Sequence, residues 1–103
     1  FRADERHINS LGIIHGGMMM SFADTLLGQA HRKITGRPAV TTRMTADFID
    51  AARFGDLVEG LGEVTRQTRN LVFVRARVWT GRRTLLTASG VFSFVRQRRN
   101  AEA

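Results

Sequence analysis

The chain has no cysteine among its 103 residues, which excludes disulfides, thiolate chemistry and a cysteine-built zinc site. A cytoplasmic location is compatible with that and is the expectation. No apolar run approaches the roughly 18 residues a bilayer-spanning helix needs, and the opening F-R-A-D-E-R-H lacks the apolar centre of a signal peptide. No membrane partner is therefore expected. Lysine is nearly missing: of sixteen cations fifteen are arginine, Lys33 being the exception, and nine carboxylates leave a net charge of +7. Arginine favours phosphate through bidentate contacts. Nucleic acid, an anionic nucleotide-bearing ligand and plain solubility would each satisfy that balance. The arginines are scattered over strands and turns, however, and no nucleic-acid-reading motif accompanies them, so nucleic acid is not an expected partner.

At this length a single domain with one small core is expected, covering residues 1–95, with 96–103 a basic tail that has no apolar face. A first segment from Phe1 to about Ile8 reads as a short strand. From about Gly17 to Lys33 there is no proline, Met, Leu and Ala abound, and Gly36 and Pro38 supply the stop, so one long helix is expected. Its apolar residues Met18, Met19, Met20, Phe22, Ala23, Leu26, Leu27 and Ala30 cover most of the circumference, which calls for something wrapped around it.

After Pro38 the period becomes two. Val40, Thr42, Met44, Ala46 and Phe48 alternate with Thr41, Arg43, Thr45 and Asp47, and further strands read at about 57–67, 71–79 and 84–95. Short turns between them imply an antiparallel meander. Gly60, Gly62 and Gly90 are positioned to let the sheet curve. The class is α+β, one helix embraced by a curved sheet of four strands, five with the N-terminal segment.

Chemistry concentrates between Asn9 and Ala30, N-S-L-G-I-I-H-G-G-M-M-M-S-F-A-D-T-L-L-G-Q-A. Gly16 and Gly17 open main-chain N–H groups to a ligand at a helix start, where free donors and the helix dipole favour developing negative charge. Asp24 follows two turns later among Met20, Phe22, Ala23, Leu26 and Leu27, a costly place for a carboxylate without a partner or a task. His7, His15 and His31 form no convincing metal-ligand set, and no metal is expected.

These residues resemble the hotdog-fold acyl-CoA thioesterases, in particular the phenylacetic-acid-degradation (PaaI-like) subgroup of the 4-hydroxybenzoyl-CoA thioesterase superfamily. The pattern is carried by Asn9, Gly12, His15, Gly16, Gly17 and Asp24, continues through Gly28 and Ala30, and returns in the strand with Val40, Thr41 and Phe48. The proline that usually follows is missing; Ile49, Asp50, Ala51 and Ala52 stand there. The resemblance implies a homodimer or homotetramer with active sites at the protomer boundary. It implies that the Gly16 N–H polarises the thioester carbonyl and that Asp24 of the other protomer activates water or attacks directly. Asn9 would hold water or the carbonyl region, and Thr41 would orient the water or the carboxylate. His15 and Gly17 would lie at the substrate, with Arg66 and Arg69 among the candidates for the phosphates of coenzyme A. Coenzyme A is then part of the substrate and no separate cofactor is expected. A non-catalytic hotdog module binding an acyl-CoA or related ligand is the alternative. The helical rise makes the two-chain site necessary: eight residues put about 12 Å between Gly16 and Asp24, too far for both to hold one carbonyl carbon.

Overall fold

The computed structural model describes residues 1–4 and 16–95. One helix, α1 (Gly16–Thr35), precedes four strands, β1 (Ala39–Phe48), β2 (Glu59–Gln67), β3 (Leu71–Thr80) and β4 (Arg83–Phe94). Gly36, at φ 64°, ends the helix, and its N–H donates to the Arg32 carbonyl at 2.9 Å. A left-handed residue at this place is what glycine permits without cost.

The strands form one antiparallel sheet in the order β1-β4-β3-β2. The expected meander therefore holds for β2, β3 and β4, while β1 pairs with β4 instead of β2. The connection from β1 to β2 crosses the end of the sheet and is pinned there by Arg83. Its guanidinium reaches Asp50 at 3.0 Å and Asp56 at 3.3 Å, while Ile49 N–H donates to the Leu85 carbonyl at 2.8 Å. Of the N-terminal strand, the described part is a single bridge, Arg2 to Leu57. The rest of that segment, and the basic tail, lie outside the described residues.

Valines and small residues explain the core. Val72, Val74, Ala76 and Val78 of β3 and Leu86, Ala88 and Phe92 of β4 are buried on one face of the sheet against Met19, Ala23, Leu27 and Ala30 of α1. Gly60 and Gly62 do more than permit curvature. A Cβ on Gly60 would stand 2.4 Å from a Leu26 methyl, and one on Gly62 2.6 Å from the Leu26 carbonyl oxygen. The helix backbone itself rests where a side chain would be. Seen from α1, the apolar circumference is covered on one side only, since Met18, Met20, Phe22 and Leu26 are half-buried and Ser21, Asp24, Thr25, Gln29 and Arg32 are exposed.

Two bulges break the strict alternation of the edge strands, at Thr42 in β1 and at Thr65 in β2. They flank the same cross-strand pair, Phe73 and Val91. The first has a consequence for the site. Period two from Val40 places Thr41 on the outer face with Arg43, but the extra residue reverses this, and Thr41 pairs with buried Phe92 on the helix side. Thr42 turns outward instead, its hydroxyl 2.9 Å from that of Ser93.

Gly62→Ala is expected to lower stability by about 1–3 kcal/mol, because the helix backbone cannot yield as a side-chain tip would. Chemical denaturation of the two proteins checks this, with Gly81→Ala as a substitution of a different kind: there the φ of 56° is strained but nothing lies within 4 Å.

Candidate active site at the free edge of the sheet

Strand β1 is one edge of the sheet, and the helix flank that overlooks it carries Asp24. The orientation follows from His31. At 100° per residue, Asp24 and His31, seven residues apart, lie on nearly the same side of α1. The His31 ring packs on Phe92 with centroids 4.7 Å apart, and Phe92 pairs with Thr41 of β1. At the other end, a Cβ on Gly16 would stand 3.8 Å from the Phe48 ring, which closes β1. Helix and edge strand thus run alongside one another, Gly16 near Phe48 and His31 near Thr41, with Asp24 between.

The sequence candidates distribute as follows. Gly16 and Gly17 form the exposed first turn of α1, Asp24 is exposed near its middle, and Thr41 is exposed at the start of β1. Burial of Asp24 among apolar neighbours, expected from its sequence context, does not occur within one chain, because Phe22, Ala23, Leu26 and Leu27 turn toward the sheet and away from it. Asn9 and His15 lie outside the described residues. Arg66 and Arg69 do not come together: Arg66 pairs with Phe73 on the outer face of the sheet, whereas Arg69 stands in the turn between β2 and β3. Among the described residues no cluster of His, Asp and Glu is arranged to hold a metal.

Two glycines on α1 have no explanation among the described residues. At Gly17 and Gly28 no described atom lies within 4 Å of an added Cβ, and neither has a positive φ. Each costs an exposed helix about 1 kcal/mol relative to alanine. Gly28 is one turn beyond Asp24, on its flank. The space these glycines leave opens outward, over the free edge. That edge is also apolar where it is exposed: Val40 and Phe48 are 58% and 57% accessible. An unpaired, apolar edge is the usual template for another strand.

Cavities occur on other surfaces. One of about 480 Å³ lies on the outer face, between Thr45, Asp47, Glu63, Arg75, Arg77 and Ser89. Arg75 is neutralised there by Glu63, and Arg77 lies over the Trp79 ring at 4.6 Å. Another, of about 580 Å³, lies at the end of the sheet by Arg37 and Arg69.

His31 is the functional-flank residue that sequence reading passed over. It is 2% accessible, and its Nδ1 has no hydrogen-bond partner among the described residues. Desolvation, reinforced by the charge of Arg32, holds its pKa below the ordinary histidine value.

A helix laid on one face of a curved four-stranded antiparallel sheet is the hotdog architecture. A family model described as the thioesterase superfamily matches residues 11–87. A Pseudomonas aeruginosa protein named for esterase activity is 38% identical over 93 residues, covering 88% of this chain and 69% of its own length. The chain belongs to the thioesterase superfamily. Its fold is shared with a Streptococcus mutans protein solved with acetyl CoA, at a TM-score of 0.88 and 20% identity over 96% of this chain and 80% of that one. The PaaI protein of the Escherichia coli phenylacetic acid degradation operon superposes equally well, at a TM-score of 0.88 and 22% identity, covering 92% of this chain and 69% of that one. Among the described residues no helix is long and apolar enough to cross a membrane.

The lowered pKa of His31 makes a prediction about pH. Above the unfolded pKa of about 6.5 both states are neutral there and the group adds no pH dependence. As the pH falls below that value the unfolded chain takes up a proton that the folded chain refuses, so stability drops by up to about 1.4 kcal/mol per pH unit until the folded pKa is passed. Denaturation midpoints between pH 7.5 and 5 should fall for the native chain and stay flatter for His31→Gln.

Proposed function

We propose that this chain is an acyl-CoA thioesterase that hydrolyses its substrate to a free carboxylic acid and coenzyme A, in a site built by two copies. The observation that carries this reading is the flank of α1. It presents a helix-start N–H at Gly16 and a carboxylate at Asp24 beside an unpaired strand, about 12 Å apart along one axis. Neither can serve the other's carbonyl within one protomer. Antiparallel pairing of β1 with β1 of a second copy sets the two helices side by side in opposite directions, so that each Gly16 approaches the other chain's Asp24.

In such a site the division of labour follows from charge. Attack on a thioester carbonyl places negative charge on its oxygen, and the N–H at Gly16, backed by the helix dipole, stabilises it; a well-aimed donor of this kind contributes about 3–4 kcal/mol. Asp24 takes the proton of the attacking water or attacks as nucleophile. Thr41, brought to the helix side of β1 by the bulge, is placed to orient the water or the carboxylate. The leaving group departs as a thiolate, which needs little protonation help. Asn9, His15 and Gly17 retain the substrate-side roles that the motif implies, and the reading includes no cofactor beyond the coenzyme A of the substrate. Enclosure by the second copy also removes Asp24 from bulk water, where a carboxylate is a poor base.

Asp24→Asn keeps the shape and removes the charge. Thiol release from acyl-CoA should fall by about 100-fold or more with the melting curve unchanged; near-native turnover would defeat the assignment of Asp24. Coenzyme A binding without any release by the native chain would favour a ligand-binding module instead.

The shared site has its own check. Gly16→Pro removes the N–H at a helix position where proline is well tolerated. Each variant alone should be nearly inactive, and mixing the two after dissociation should restore part of the activity, since a mixed dimer contains one site with native Gly16 and native Asp24. No recovery in verified mixed dimers would mean that both groups come from one chain.

A further inference from the structure

The cavity at the end of the sheet is built from three segments that the backbone ties together. Val95 N–H donates to the Pro38 carbonyl at 2.9 Å, and Phe94 N–H donates to the Asn70 carbonyl at 3.0 Å. This joins the turn after α1, the turn between β2 and β3, and the end of β4. Around the resulting basin of about 580 Å³ stand Arg37, Arg69, Asn70, Ser93, Phe94 and Val95. Arg37 is held by its stack on the Phe94 ring, 3.8 Å from the centroid, and its N–H is fixed on the Thr35 hydroxyl at 3.2 Å. Arg69 rides on a turn braced by Thr68, whose hydroxyl accepts the Leu71 N–H at 3.0 Å.

No carboxylate lines the basin, and neither guanidinium has an acidic partner among the described residues. Among the described residues Arg83 is paired with Asp50 and Asp56, and Arg75 with Glu63. Other arginines, Arg43, Arg53 and Arg82 among them, are unpaired as well, and what distinguishes Arg37 and Arg69 is that they share one concavity. Two unneutralised guanidiniums over one concavity, that of Arg37 held on the Phe94 ring, with an amide and a hydroxyl beside them, match a polyanionic phosphate group.

The distance from the chemistry selects which one. Eleven residues of helix separate Asp24 from Thr35, an axial rise of about 16 Å. The pantetheine arm between the sulfur of coenzyme A and its diphosphate has the length of four to five extended peptide units, about 15 Å at the reach of an extended chain. An arm laid along α1 from a thioester at Asp24 would therefore deliver its diphosphate to the basin of the same protomer.

We propose that Arg37 and Arg69 form the phosphate-binding end of the coenzyme A site, with Asn70 and Ser93 as neutral partners. This rests on the thioesterase reading for the identity of the ligand. It pairs Arg69 with Arg37, a residue not singled out from sequence, and leaves out Arg66, which does not line the basin.

Calorimetric titration with coenzyme A and with pantetheine, which lacks the phosphates, tests it on the full chain. Arg69→Gln should weaken coenzyme A binding by about tenfold, the double variant with Arg37→Gln by more, and neither should change pantetheine binding. Arg82→Gln, at the opposite end of the sheet, should leave both unchanged. The proposal is overturned if coenzyme A affinity survives the double variant, if Arg82→Gln weakens it equally, or if the native chain does not bind coenzyme A. Should the double variant fail to fold, Arg69→Gln alone decides, since that side chain stands on an exposed turn. Thiol release is measured separately: a chain that binds coenzyme A through the basin without hydrolysing acyl-CoA overturns the hydrolase reading and leaves the basin standing.

Discussion

Everything in this molecule depends on how closely α1 can lie on its sheet. At Gly62 the helix carbonyl of Leu26 occupies the space of the missing side chain, and at Gly60 a Leu26 methyl does the same. With larger residues at those points the helix would lift away, and the thin core of valine, alanine and leucine between the layers would lose its contact. The close seat has a second effect. It fixes the rotation of the helix about its own axis, because Leu26 and Leu27 must enter their places over Gly60, Gly62 and Gly90. Once that rotation is fixed, Asp24 has no choice but to face the edge at β1.

That edge is where we propose that a second copy docks. A free strand with exposed Val40 and Phe48 is an aggregation hazard unless something covers it. Gly17 and Gly28 weaken the helix beside it without any contact among the described residues that accounts for them. Taken singly, each would be a small defect; on one flank, next to a carboxylate without a partner among the described residues, they are consistent with the proposed docking of a second copy. In the proposed dimer, stability and catalysis would draw on the same contact. A second copy covering β1 would bury apolar surface that a chain of this length needs, and would also supply the group that each site lacks.

Much of this was legible in the residues. The helix, the alternating strands, the helix-stop at Gly36 and the motif from Asn9 to Asp24 all depend on local pattern, and local pattern is what periodicity and turn chemistry report. The strand order was not, because the pairing of β1 with β4 is set by the long link over Arg83, and contacts between distant segments leave no periodic trace. Thr41 shows the finer limit. A single inserted residue in a strand exchanges its two faces, and nothing in V-T-T-R-M announces which threonine is the extra one. His31 was weighed from sequence only as a metal ligand, and its burial against Phe92 depends on a contact between helix and sheet that no local pattern reports.

Helix α1 also works as a ruler. Its first turn supplies the N–H that would meet developing negative charge, its middle carries the carboxylate, and its end hands the chain to Arg37. The spacings are multiples of 1.5 Å and cannot stretch. A reaction whose substrate has a reactive carbonyl at one end and phosphates at the other is suited to such an element, since the distance between its two chemistries is covalently set as well. The direction of the helix adds to this. Its positive end favours the oxyanion, while its negative end would repel phosphate, and the last turn and the turn after it hold Arg32, Lys33 and Arg37 against that. Among the described arginines, Arg75 and Arg83 are met by carboxylates, whereas the cations at the end of the helix are not, and on the reading proposed above an anionic ligand would supply their counter-charge.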